Sequence, residues 1–438
     1  MRIRRKKLIM FVLLLIVLIM FGIINLPKAQ EYIKTNLQKY EKPIDLETGI
    51  INNEYFNIDS NGKNAQKTTD GINKAIKYAQ KNNIKNIKLE LGKYQVIGYN
   101  NSSYRGLTMQ SNTNLDLNGS TIIQEPNDKY AYANISMYGI ENATVTNGII
   151  IGDTDKHIYN QENGKTHEGG YGISIIDCKN IKLTNLEIYN MTGDGINLYG
   201  ANKGEKIDDD VVIENCDIHD CRRQGITIGC GENITIQNNE IHNIRGTAPQ
   251  SGIDIEGNFQ SEITDKVIIN NNKIYDIEGE DALLLVGFIK NVEINSNEIE
   301  KNILVYDAKE SITLKNNKIK NAIVNFSNDY TNMRAGHNIK NLNFTKNYLE
   351  NSSLKLSKVW GAEIESNNII NGNIENASSS CKIHNNQLKN EKESIDIAIN
   401  LSNISGHTEK YTASIKDNII NGNYKAQIKI DENFYTIE

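Results

Sequence analysis

GYGISII (170–176), GDGINLYG (193–200), RQGITIG (223–229) and SGIDIEG (251–257) are four versions of one phrase, and DALLLVG (281–287) is a fainter fifth. Within the phrase, apolar and polar residues alternate: Ile196 and Leu198 with Asn197 and Tyr199, then Ile253 and Ile255 with Asp254 and Glu256. A period of two belongs to a strand and not to a helix. Between the phrases runs a second theme, seen in NIKLTNLEI (180–188), VVIENCDI (211–218), NITIQNNEI (233–241) and KVIINNNKI (266–274), so each repeat holds at least two strands. From Gly172 to Gly195, Gly225, Gly252 and Ala282 the steps are 23, 30, 27 and 30 residues. Short strands at a drifting period, with no helix between them, indicate a solenoid of stacked coils, an all-β parallel β-helix.

Working outward, the second theme places Asn239, Asn272, Asn297, Asn317, Asn347, Asn367, Asn386 and Asn418 in one column, with Cys216 one coil earlier. Stacked amides can hydrogen-bond from coil to coil, and asparagine tolerates the left-handed turn conformation. One residue type is expected to meet both needs at this corner.

If the aliphatic residues of the phrases point inward, the alternation fixes what points out. Tyr171, Asp194, Gln224, Ser251 and Asp281 open the strands, Ser174, Asn197, Thr227, Asp254 and Leu284 sit at their centres, and Tyr199 and Glu256 lie near their ends. With coils about 4.8 Å apart, Asp194, Arg222, Arg223, Asp254, Glu256 and Asp281 are expected on one exposed face. Asp is a poor strand former, so a carboxylate at a strand centre points to function. For Asp254 and Glu256 the alternatives are substrate chemistry, Ca²⁺ binding or simple solvation. Insertions at 154–169 and 200–210 are expected to wall the groove, the first bringing His167 and Glu168; His167 is either a proton-transfer group or an exposed loop histidine.

The chain has 438 residues, 48 Lys and Arg against 54 Asp and Glu, and a net charge of −6, which gives no basic footprint for nucleic acid. Residues 1–26 stand apart. A basic MRIRRKK is followed by a 19-residue apolar run at 8–26, roughly 28 Å long as a helix and so of bilayer length. This predicts one transmembrane signal anchor with a cytoplasmic start and the remainder outside the cell, or a secreted domain if the segment is cleaved. Residues 27–55 read as a polar stalk, 56–105 as an N-terminal cap and first coil, and 106–438 as the β-helix. In the cap, Thr68, Thr69 and Asp70 are expected to begin a helix with apolar face Ile72, Ala75, Ile76 and Ala79, ending near Asn82 and Asn83. The five cysteines form no CxxC and are expected to be buried free thiols rather than metal ligands. No heptad tail predicts an oligomer.

The order Asp59-x-x-Gly62, Thr68-Thr69-Asp70, amphipathic helix, apolar strand and Gly92-x-Tyr94, followed by Asn-rich coils, resembles the start of the pectate-lyase-like right-handed β-helix superfamily, which holds pectate lyases, polygalacturonases, uronan epimerases and phage tailspike hydrolases. The resemblance covers roughly residues 55–430. It implies a right-handed coil and a surface polysaccharide as partner. Asp194 stands where polygalacturonases carry an Asp, but Arg222-Arg223-Gln224 stands where they carry paired Asp, and no Gly-His-Gly occurs. The resemblance therefore implies glycan chemistry without fixing its type. In a hydrolytic version Asp254, Glu256 and Asp194 carry acid and base roles. In a lyase or epimerase version Arg222 or Arg223 neutralises a uronate carboxylate while His167 or a nearby base takes a proton. Arg222, Gln224, Tyr171, Tyr199, Asn197, His167, Glu168 and Asp281 are expected to bind substrate. The alternatives are a glycan-binding surface protein without turnover and a purely structural one.

Overall fold

The computed structural model describes residues 42–99, 105–160, 166–200, 207–257, 263–328, 339–403 and 410–438. Each central coil contributes three short strands, one more than the two themes suggest. One coil holds Gln224–Ile228, Gly231–Gln237 and Glu240–Ile244, and the next holds Ser251–Gly257, Thr264–Asn270 and Lys273–Ile277. They pair in parallel and in register, Ile226 with Ile253, Ile234 with Val267 and Ile241 with Ile274. Register is held because a slip of one residue would turn every isoleucine outward. Ile196, Ile226, Ile253 and Leu283 are 0 % exposed, as the alternation predicts.

The asparagine column forms as expected. Nδ2 of Asn239 donates to Oδ1 of Asn272 at 3.0 Å, and the same bond repeats through Asn297, Asn317, Asn347, Asn367 and Asn386 to Asn418. Each Nδ2 also donates to a backbone carbonyl, Asn317 to Ile294 at 2.8 Å. The conformational half of the expectation is corrected: the left-handed residue is the one before each ladder amide, Asn238, Asn271, Ser296, Asn316, Lys346, Ser366, Asn385 and Asp417, with φ between 52° and 58°. Two tasks at one corner are divided between neighbours, which is why Asn-Asn pairs recur.

Helix α1 (Ala65–Lys81) covers the first coils, with Ile72, Ala75, Ile76 and Ala79 fully buried. It starts earlier than expected, after Asn64, so Thr68 to Asp70 lie inside it; the Thr69 hydroxyl donates to the Ala65 carbonyl at 2.9 Å and accepts from the Ile97 amide at 3.0 Å. Packed structure also begins ahead of residue 56. Ile44 and Ile51 are buried and bridge each other, so this part of the expected stalk belongs to the cap. Among the described residues no helix is long and apolar enough to cross a membrane; the expected anchor at 1–26 lies outside the described residues. All five cysteines are free and buried.

The face that matters below is built from β1 (Gly169–Ile176), β2 (Asp194–Tyr199), β3 (Gln224–Ile228), β4 (Ser251–Gly257), β5 (Asp281–Gly287) and β6 (Asn302–Tyr306). Their register stacks Ser174, Asn197, Thr227, Asp254, Leu284 and Leu304 in one outward column.

Candidate active site

At the start of β2 the carboxylate of Asp194 is wholly enclosed, 0 % exposed. Its Oδ2 accepts from the Thr227 hydroxyl at 2.9 Å and from Arg223 Nη1 at 3.2 Å, and its Oδ1 lies 3.3 Å from the same Nη1. Arg223 Nη1 also donates to Gln224 Oε1 at 2.5 Å, while its Nε stands 3.6 Å from Glu168 Oε2. A guanidinium can face several acceptors in one plane, and here it faces the Asp194 carboxylate of β2 and that of Glu168 just ahead of β1. Gln224 passes the chain on by donating through Nε2 to Oδ2 of Asp254. Oδ1 of Asp254 is buried with no hydrogen-bond partner among the described residues.

Burial is the largest influence on both aspartates, because a low-dielectric site disfavours the charged form. For Asp194 it is opposed by Arg223, Thr227 and Asn197, and the carboxyl is raised only to about 6. For Asp254 burial is reinforced by Glu256 and only partly offset by Arg223, and the carboxyl is pushed up to about 8. Burial and Glu256 therefore make Asp254 the carboxyl that holds its proton more firmly, while Arg223 favours the ionised form of Asp194. Since Gln224 already donates to Oδ2, that proton belongs on Oδ1, the oxygen with no partner. Two carboxyl groups held in opposite protonation states can act as base and acid. Tyr171 lies close enough to Asp194 that burial and then this carboxylate raise its phenol far above the ordinary range.

The structure gathers Asp194, Asn197, Arg223, Gln224, Asp254, Tyr171 and Glu168 as the sequence suggests, but Asp194 and Asp254 are buried rather than on an open surface. The enclosing side chains cannot be read from alternation, which separates inside from outside and says nothing of what lies across a strand. Thr227 links the pair and was visible only as one more strand centre. Glu256 is half-buried at the end of β4, and Tyr199 is 40 % exposed. The Tyr199 ring lies over Gly229, where an added Cβ would come within 2.5 Å of Cδ2. That glycine leaves the space in which the ring reclines toward Glu256.

Three expected site residues stand elsewhere. Asp281 is raised to about 6 by burial and then Glu280, and Lys301 opposes the shift, so its charged neighbours are not those of the centre. Arg222 turns its Nη1 to the carbonyls of Thr166 at 3.0 Å and Thr192 at 3.3 Å and lies over the Tyr159 ring. His167 is neither exposed nor aimed into the groove. It is 3 % exposed, its Nδ1 is 2.8 Å from His157 Nε2, and His157 Nδ1 is 2.9 Å from Asp153 Oδ2. With Tyr132 and Asn127 also bonded to Asp153, this chain fastens the described part of the 154–169 insertion to the coil and sets Glu168 beside Arg223. The i, i+4 spacing of Asp153 and His157 was the available signal. Residues 161–165 and 201–206 of the two expected walls lie outside the described residues.

Ca²⁺ takes six to eight oxygen ligands, and the carboxyl groups of Asp254 and Glu256 supply at most four. Among the described residues no three His, Cys, Asp or Glu side chains are grouped to hold a metal ion.

A family model described as the right handed beta helix region matches residues 130–322, the stretch containing this centre. The parallel coil described above runs through that stretch and continues on both sides of it. Two proteins of Bacillus subtilis are similar to it in sequence: YclG, 28 % identical over 236 residues, 50 % of this chain and 40 % of that protein, and the prophage-derived YorA, 27 % identical over 304 residues, 61 % of this chain and 49 % of that protein. The β-helix chain thus spans less than half the length of either relative. Among solved structures, PfbA, a surface adhesin of Streptococcus pneumoniae, aligns over 86 % of this chain and 92 % of its own with a TM-score of 0.58 and 14 % identity, a likeness of fold.

Proposed function

We propose that this β-helix is a polysaccharide-active enzyme whose centre is Asp254, with Asp194 and Arg223 beside it. The observation that carries this reading is the unpartnered Oδ1 of a buried Asp254 three hydrogen-bonded steps from Asp194, through Gln224 and Arg223. An unmet buried oxygen costs about 1–3 kcal/mol; Asp208 carries one too, and what sets Asp254 apart is the charged chain of Gln224, Arg223 and Asp194 beside it. In this reading Asp254 donates its proton to the leaving oxygen of a glycosidic bond. Glu256, at the accessible end of β4, serves as base, taking a proton from water in hydrolysis or from the sugar carbon in elimination; in epimerisation no glycosidic bond breaks, and Asp254 instead returns a proton to that carbon from the opposite face. Arg223 keeps Asp194 ionised, and Gln224 fixes which oxygen of Asp254 carries the proton. Tyr199 and Glu256, at the accessible end, contact the glycan.

A second reading, binding without turnover, is favoured by Tyr199, 40 % exposed on this face, whose ring could stack on a sugar. Placement at the cell surface rests on the apolar run at 8–26 alone. The experiment is to incubate the purified ectodomain with a panel of bacterial and plant polysaccharides and follow reducing ends and unsaturated products. Release of either from one glycan supports the enzyme, while binding without release supports the second reading.

A further inference from the structure

The outward column does not stay polar after Asp254. In the next two coils it continues as Leu284 and Leu304, while the column containing Glu256 continues as Val286 and Tyr306. All four are half-buried. Rungs lie about 4.8 Å apart and alternate residues about 6.6 Å apart, so these side chains make an apolar patch two coils deep. It is bounded on one side by Asp254 and Glu256 and on the other by Asn325 and Ser327, the next residues in register. Oδ1 of Asn325, beside Leu304, is sealed from water and has no hydrogen-bond partner among the described residues.

Half-buried leucines stacked at the strand centres of an outer face fill no part of the core. The patch's continuity with the carboxyl centre makes the neighbouring unit of the same glycan its natural occupant. Resting on the polysaccharide reading above, we propose that this patch is a subsite for a sugar bearing an acetamido group. The acetamido methyl packs on Leu284, Leu304 and Val286. Its N–H donates to Oδ1 of Asn325, brought round by rotation of the side-chain amide. An O-acetyl or 6-deoxy sugar supplies the methyl without the N–H, and an unsubstituted hydroxyl supplies neither apolar contact nor the fit.

The test uses the full chain carrying Asp254→Asn, which binds without consuming its ligand. Bacterial surface polysaccharides are titrated in three forms: native, de-N-acetylated and chemically re-N-acetylated. The glycans that bind should do so about tenfold more weakly once de-N-acetylated, the size expected for losing one small apolar group, and should recover on re-N-acetylation. Adding Leu284→Asn and Leu304→Asn should leave the two forms equally weak, with the melting temperature reporting on the fold. The near-isosteric Val286→Thr supplies the same comparison where the leucine variant does not fold. Affinity indifferent to de-N-acetylation, a preference that survives the leucine changes, or no binding of any acetamido glycan overturns the subsite. An acetamido preference without product release from the unmutated enzyme retains the subsite and removes the catalytic reading. Turnover confined to glycans without acetamido groups does the reverse.

Discussion

Gln224 donates its side-chain Nε2 to Oδ2 of Asp254 on the following coil and leaves Oδ1 of the same carboxyl without a partner. A single amide therefore decides where the proton of Asp254 resides. It also joins Asp254 to Arg223, which donates to the Gln224 Oε1 at 2.5 Å.

The raised carboxyl of Asp254 makes a stability prediction with a definite sign. Folding holds this proton up to about 8, whereas an unfolded Asp releases it near 3.9. Between those values the native state binds more protons, so this residue's contribution to stability falls as pH rises through the window. Asp254→Asn, which cannot ionise, should match the parent protein near pH 4 and melt higher than it above pH 8. Melting curves of both across that range check this. A difference that shrinks with rising pH would mean that Asp254 is not held protonated.

Gly229→Ala places a methyl where the Tyr199 ring now lies, 2.5 Å from Cδ2. The ring can swing out, so the fold should survive and the loss should fall on substrate binding. KM is expected to rise several-fold with kcat little changed, as for removal of an interaction made equally in ground and transition states. Steady-state kinetics on the active glycan measure the split, and an unchanged KM would remove Tyr199 from the substrate path.

Asn317→Leu breaks the amide ladder between Asn297 and Asn347 and also deprives the Ile294 carbonyl of its donor. A buried polar group left unmet costs about 1–3 kcal/mol, and several are affected. Denaturant midpoints should fall accordingly, with activity per folded molecule unchanged. An unaltered midpoint would mean that the ladder is ornamental.

What could be read beforehand follows from what repeats. The coil, its inward isoleucines and the column from Asn239 to Asn418 were legible because each is one requirement met many times at the same place. The third strand of each coil was less so, since Glu240–Ile244 is short and merges with the asparagine corner. The site was legible as a set of residues and not as an arrangement. Arg222 and Arg223 are adjacent in sequence, yet one binds Asp194 and the other the carbonyls of Thr166 and Thr192. His167 looked like a loop histidine because its partner His157, itself held by Asp153, reaches it across a turn whose path no periodicity specifies.

The most direct test of a centre built on Asp254 is the pH dependence of product release, measured beside the Asp254→Asn and Glu256→Gln variants. An acid must keep its proton and a base must lose its own. With Asp194 near 6 and Asp254 near 8, and with ionised Asp194 needed to hold Arg223 in place, the rate should rise through about 6, hold, and fall through about 8. Asp254→Asn should lower it by about 10²–10⁴-fold with the fold retained and the alkaline limb gone. Full activity in Asp254→Asn, or an alkaline limb that survives the change, would contradict the central role of this carboxyl.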